Sequence, residues 1–75
     1  RTLHWQVFNR QSPETEFRFL VNCFERPVEF QVPAKNEWEL VLDSYGDVLG
    51  PISRDKPGSV WTEGYSAKVL KIKSR

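Results

Sequence analysis

A chain of 75 residues is a single small domain, and folding at this length buries only roughly 60 to 65% of the surface that the unfolded chain exposes, so its own core is thin. Eleven basic and ten acidic side chains leave a net charge of +1, which supplies no field to gather phosphate backbones or to hold an anionic membrane. Nucleic acid and membrane are therefore not expected as partners, and the absence of any methionine, including at position 1, points to a segment cut from a longer protein.

Taken in order, the chain alternates apolar and polar residues with a period of two, which puts successive side chains on opposite faces of a strand. The stretch His4 to Asn9 reads as a first strand with Trp5 and Val7 on one face, followed by the polar break Arg10 to Thr15. Glu16 to Phe24 is the longest and most apolar run, with Phe17, Phe19, Val21 and Cys23 on one face and Leu20 and Phe24 among those on the other. Such a strand suits the middle of a sheet. Glu25-Arg26-Pro27 then turns into Val28-Glu29-Phe30-Gln31-Val32-Pro33, a hairpin signal in which Val28, Phe30 and Val32 face a core while Glu29 and Gln31 face water.

Pro33 to Asn36 closes that strand, and Glu37 to Asp43 opens the next, with Trp38, Leu40 and Leu42 inward and Glu37, Glu39, Val41 and Asp43 on the polar side. Gly46, Gly50, Pro51, Pro57 and Gly58 make 44 to 58 the one long loop. Ser59 to Thr62 is a short strand and Glu63-Gly64-Tyr65 a turn. Ser66 to Lys73 is the last strand, where Lys68, Lys71 and Lys73 suit a sheet edge because charge there discourages stray pairing. About six or more short strands without a substantial helix predict an all-β fold, a small antiparallel β-sandwich of Greek-key type or a small barrel, over 1–75 as one domain.

The same residues argue against catalysis. His4 has no nucleophile or orienting acid at a spacing that proposes a triad. Cys23 sits in the apolar run, where a thiol behaves as a small hydrophobe. Glu37 and Glu39 stand two apart on one strand face, at roughly the separation that glycoside cleavage uses, but an open solvated face has no means of raising one carboxyl above the other. Gly46-Asp47-Val48-Leu49-Gly50 is followed by no helix N-terminus and so is a turn, not a phosphate cradle. One cysteine and one histidine exclude an internal disulfide and fall short of a four-ligand zinc set. No catalytic residue, metal or cofactor is expected. No apolar run approaches the roughly 18 to 20 residues of a membrane span, and Arg1-Thr2-Leu3-His4-Trp5 is not a signal peptide; the expected location is cytoplasmic. Aromatic residues are the remaining resource, at 13% of the chain. Trp38 falls in register with the core, whereas Trp61, Tyr45 and Trp5 are the candidates for exposed rings that stack on a sugar face.

Three stretches carry a resemblance. Phe19-Leu20-Val21-Asn22-Cys23-Phe24-Glu25-Arg26-Pro27-Val28-Glu29-Phe30-Gln31-Val32-Pro33 resembles the pattern of hydrophobic strand, Asn, short turn, Pro, alternating strand and Pro in the C-terminal β-domain of family 13 glycoside hydrolases, the α-amylase superfamily. Trp38-Glu39-Leu40-Val41-Leu42-Asp43-Ser44 is similar to the strand that follows there, and Gly64-Tyr65-Ser66-Ala67-Lys68-Val69-Leu70 to the last element. The similarity spans about residues 16 to 72 and lies nearest the debranching, isoamylase-like and trehalose-forming branches, with Thr62-Glu63-Gly64 standing where those domains usually carry prolines. It implies a sandwich without catalytic residues, an accessory domain of an α-glucan-processing enzyme. Its partners would be the catalytic barrel of the same polypeptide and, at Trp61, Tyr45 and Trp5, α-glucan itself. Two other functions fit the same residues: an autonomous carbohydrate-binding module, and a protein-interaction sandwich unrelated to sugars.

Overall fold

The computed structural model describes residues 1–46, 49–52 and 58–73, with Asn9, Pro13 and Glu14 described by their backbone alone. Seven strands follow in chain order: β1 (Thr2–Asn9), β2 (Ser12–Asn22), β3 (Val28–Gln31), β4 (Trp38–Asp43), β5 (Gly50–Pro51), β6 (Ser59–Thr62) and β7 (Ser66–Ile72). They form a five-stranded antiparallel sheet in the order β1-β2-β7-β4-β5 and a two-stranded antiparallel sheet of β3 and β6. The all-β reading holds, and no helix occurs among the described residues.

The core lies between the two sheets. Leu20 from β2, Leu70 from β7, and Trp38 and Leu40 from β4 meet Phe30 and Val32 at the β3 end and Val60 from β6. The alternation in Val28-Glu29-Phe30-Gln31 appears as expected, with Phe30 buried, Val28 half-buried, and Glu29 and Gln31 exposed. Trp38 is buried, and its indole N–H donates to the Pro33 carbonyl at 3.0 Å, so the ring's one polar group is satisfied inside.

Several expectations are corrected. The hairpin expected between the long apolar run and Val28–Gln31 does not form, because both flanks of β2 are already occupied by β1 and β7. Asn22 explains where the chain goes instead. Its side chain, almost fully buried, accepts from the Phe24 N–H at 2.8 Å and donates to the carbonyls of Arg26, Thr62 and Glu63 at 2.7, 3.1 and 3.1 Å. That knot lifts the chain off the first sheet and delivers β3 to the second, beside β6. The polar break expected over Arg10 to Thr15 is only a tight turn at Arg10 and Gln11, since β2 begins at Ser12.

Cys23 is exposed rather than buried: it follows the end of β2, where its N–H donates to the Arg1 carbonyl at 2.7 Å. The last strand is not an edge. β7 lies between β2 and β4, and Lys68 is only 4% exposed. Its ammonium is held at 3.1 Å from Asp43 Oδ2 and 2.7 Å from Glu63 Oε1, which is how a buried charge is tolerated at all. The loop expected over 44–58 contains the short strand β5, and its segments 47–48 and 53–57 lie outside the described residues.

Inside β4 the alternation breaks. Leu40 pairs with Leu70, but the next pair is Leu42 with Val69, so Val41 is an extra residue in the ladder. One inserted residue reverses the faces of all that follow it in the strand. Leu42, expected inward, is 56% exposed, and Asp43, expected outward, has a fully buried carboxylate that reaches Lys68.

Candidate functional site: an open apolar sheet face

The five-stranded sheet has two sides and only one is covered. β2 shows why this is unusual: Leu20 points to the core, yet Phe17, Phe19 and Val21 on the opposite side are also large and apolar. A sheet with one wet face normally carries polar residues there, whereas strands apolar on both faces belong to sheets covered on both sides. The ladder pairings arrange the uncovered side in rows. Leu3, Val21 and Ala67 form one; Trp5, Phe19, Val69 and Leu42 form the next. Val7 and Phe17 continue into Lys71 and Glu39, opposite charges placed side by side at one corner. At the centre, the Trp5 and Phe19 rings are parallel within 3° with centroids 5.2 Å apart, an offset stack in the preferred range for aromatic pairs. Leu3, Trp5, Val7 and Leu42 are exposed, Phe17, Phe19, Val21 and Val69 half-exposed. The β4 bulge adds Leu42 to this patch by turning it outward.

The three expected sugar-stacking residues occupy separate places. Trp5, 45% exposed, lies on the open face. Trp61 projects from the outer side of the β3–β6 sheet, between buried Val60 and Thr62, and is 52% exposed. Tyr45 follows the end of β4 and is 63% exposed, its N–H donating to Asp43 Oδ1 at 3.0 Å. The core separates Trp5 from Trp61, so these two rings form no common platform.

On the core side of β1, His4 sits edge-on to Phe30 with centroids 6.0 Å apart, and Arg18 Nη1 lies 3.2 Å from its Nε2. A guanidinium can only donate, so Nε2 accepts and the proton resides on Nδ1. Burial, and then the nearby Arg18 charge, lower the His4 pKa below 6.5, against a smaller opposing effect of Glu16. Arg18 in turn pairs with Glu16 and stands 5.6 Å over the Trp38 ring. This chain of contacts ties β1 to the core. It binds His4 Nε2 to a cation, which leaves that nitrogen unsuited to act as a base. Among the described residues no group of three or more His, Cys, Asp or Glu side chains is arranged to hold a metal ion, and no helix is long and apolar enough to cross a membrane.

The run Glu16 to Phe24 is apolar on both faces, which suits a central strand, but the sequence does not show that one of those faces stays uncovered. Its doubly apolar stretch from Phe17 to Val21 is the signal that bears on the question. The fold is thus a small two-sheet antiparallel domain with a laterally exposed apolar surface. Compared with protein-family models, with curated proteins and with solved structures, the chain matches none.

Proposed function

We propose that this chain is a non-catalytic accessory β-domain of an α-glucan-processing glycoside hydrolase of the α-amylase superfamily, and that its open face packs against the catalytic barrel of the same polypeptide. The reading joins two supports. The sequence patterns at Phe19 to Pro33, Trp38 to Ser44 and Gly64 to Leu70 resemble the C-terminal domains of those enzymes. The observation that carries it is the row Trp5, Phe19, Val69 and Leu42, a contiguous apolar surface of the kind that marks an interaction site rather than a solvated sheet. Covering it would supply the second hydrophobic layer that so short a chain lacks. In this reading the acids that cleave the glycosidic bond belong to the barrel, and the domain contributes stability to it.

The test is covalent labelling of tryptophan in the full polypeptide compared with the 75-residue chain. Trp5 should be modified in the short chain and protected in the long one, with Trp61 reactive in both. Equal reactivity of Trp5 in the two would overturn the packing.

A second reading, an autonomous carbohydrate-binding module, is favoured by the exposed ring of Trp61, set beside Glu29 and Ser59 on the outer face of the small sheet. Titration of the labelled chain with maltoheptaose or soluble starch separates the two readings: amide shifts around Trp61 and Tyr45 favour the module, and their absence favours the accessory domain.

A further inference from the structure

β7 and β4 meet at Lys68 and Asp43, which are direct partners in the antiparallel ladder. Lys68 Nζ lies 3.1 Å from Asp43 Oδ2 and 2.7 Å from Glu63 Oε1. Asp43 Oδ1 is held separately, by the Tyr45 N–H at 3.0 Å. The Asp43 carboxylate is fully buried and Lys68 almost so, while Glu63 is partly exposed.

Stability alone does not call for such an arrangement. Taking both charges out of water commonly costs more than their attraction returns, and a well-packed apolar pair often serves a core as well or better. This site keeps the charges and adds a second carboxylate at the amine and a backbone donor at the other carboxylate oxygen. Together these are the parts of an amide-forming centre: an amine nucleophile, a carboxyl carbon, a proton carrier, and a donor placed where negative charge develops.

We infer that Lys68 and Asp43 condense into an intramolecular isopeptide bond that crosslinks β7 to β4, with Glu63 as proton carrier and the Tyr45 N–H as oxyanion donor. The ion pair is the folded precursor. Glu63 carries a proton from Nζ to Oδ2, which leaves a neutral amine and a carboxylic acid. The amine lone pair attacks Cγ, the carbon that bears Oδ2, and the charge gathering on Oδ1 meets the Tyr45 N–H. A second proton passes from the nitrogen by way of Glu63 to Oδ2, the Cγ–Oδ2 bond breaks, and Oδ2 leaves as water. One ammonium and one carboxylate thus become one neutral amide and one water. Glu63 ends as it began, and no oxidant, reductant or activated group takes part.

Burial is what makes the step favourable. In bulk water the separate ions keep their hydration shells, whereas here those shells are already stripped and the reacting groups stand at hydrogen-bond distance before the reaction begins. The product closes residues 44–67 into a loop and restricts the unfolded chain as a disulfide would, in a sequence whose single cysteine permits no internal disulfide. The inference does not rest on the accessory-domain reading.

The experiment is intact mass determination of the folded 75-residue chain, followed over days at neutral pH, with proteolytic mapping of the product. The expected result is a species one water lighter than the sequence mass, whose digest contains a branched peptide joining the segments around Asp43 and Lys68. The chain held in urea should keep its full mass. Lys68→Arg, whose guanidinium stays charged and offers no free amine, should also keep it. Glu63→Gln should slow the loss of water by about a hundredfold or more, the typical contribution of a general acid–base group. A folded wild type that retains its full mass overturns the inference. So does a lost water whose digest holds linear peptides alone, which would be a succinimide at an aspartate. Loss of water as fast in urea or in Lys68→Arg also overturns it, and an unchanged rate in Glu63→Gln overturns the role of Glu63.

Discussion

Trp5 and Phe19 face each other across the β1–β2 ladder with their rings 5.2 Å apart and parallel, on the side of the sheet away from the core. Their stack is a surface feature of the isolated domain, so its removal should separate stability from association. Phe19→Ser in the isolated chain should cost about 1 to 2 kcal/mol, combining a stacking term of about 0.5 to 1.5 kcal/mol with partial loss of burial. On the proposed packing against a catalytic barrel, the same substitution in the full polypeptide should also loosen that contact. Dye binding by exposed apolar surface, followed alongside thermal unfolding, measures both. A loss as large as that of a core residue would mean that Phe19 is buried in the isolated domain.

Core membership gives the contrasting case. Phe30 is buried against the facing sheet while its neighbour Gln31 is exposed. Phe30→Ala should cost about 3 to 5 kcal/mol, enough to unfold most of so small a domain. Gln31→Ala should stay within about 0.5 kcal/mol. Equal midpoints for the two variants in urea would refute the register of β3.

Most strands were legible because period-two patterning is a local property of the chain, and Val28 to Gln31 shows it without interruption. Strand pairing was not legible, since partners are chosen by long-range closure. Nothing in Glu25-Arg26-Pro27 reveals that Asn22 binds the carbonyls of Thr62 and Glu63, forty residues away, and so forbids a local hairpin. The β4 bulge was hidden for a related reason. Trp38 to Asp43 alternates acceptably in a straight strand, and it is the bulge at Val41 that turns Leu42 outward and brings Asp43 inward to the buried Lys68. Of the candidate surface, exposure at Trp61, Tyr45 and Trp5 was legible; the side of the sandwich that each occupies was not.

Lys68 tests that account of the bulge. Its ammonium lies between Asp43 and Glu63 with only 4% of its surface exposed. Lys68→Met keeps length and apolar stem but strips Asp43 of a cationic partner. Removing one member of a buried ion pair typically costs about 3 to 5 kcal/mol, and that is the expected loss. Adding Asp43→Leu should recover part of it, because a buried anion without its cation is worse than an apolar pair. A Lys68→Met chain as stable as the wild type would show that the charge does not anchor β7 to β4.

Asn22 and Thr62 sit together in the core with opposite hydrogen-bond accounts. Asn22 uses both ends of its amide on four backbone groups, whereas the buried Thr62 hydroxyl has no partner among the described residues. Asn22→Ala should destabilise by about 3 kcal/mol or more, at roughly 1 kcal/mol for each bond lost. Thr62→Val removes an unsatisfied polar atom at nearly constant volume and should stabilise by about 1 kcal/mol. For a domain of this size that is an upward shift in the unfolding midpoint of roughly 4 to 8 °C. A destabilised Thr62→Val variant would mean that the hydroxyl finds a partner.

His4 fixes the sign of a pH effect. Burial and Arg18 favour its neutral form in the folded chain, so the folded pKa lies below the unfolded value of 6.5. Between those two values the unfolded chain binds more protons than the folded one, and stability therefore rises with pH across that window. The contribution is fully present above 6.5 and is lost as pH falls from 6.5 through the folded pKa, below which it changes no further. His4→Gln, which keeps a polar side chain that does not titrate, should flatten this segment of the stability profile. Denaturant midpoints measured at steps downward from pH 6.5 would show a decline in the wild type that the variant lacks. A wild-type profile that rises on acidification through this window would require His4 to gain a proton on folding, which the Arg18 contact opposes.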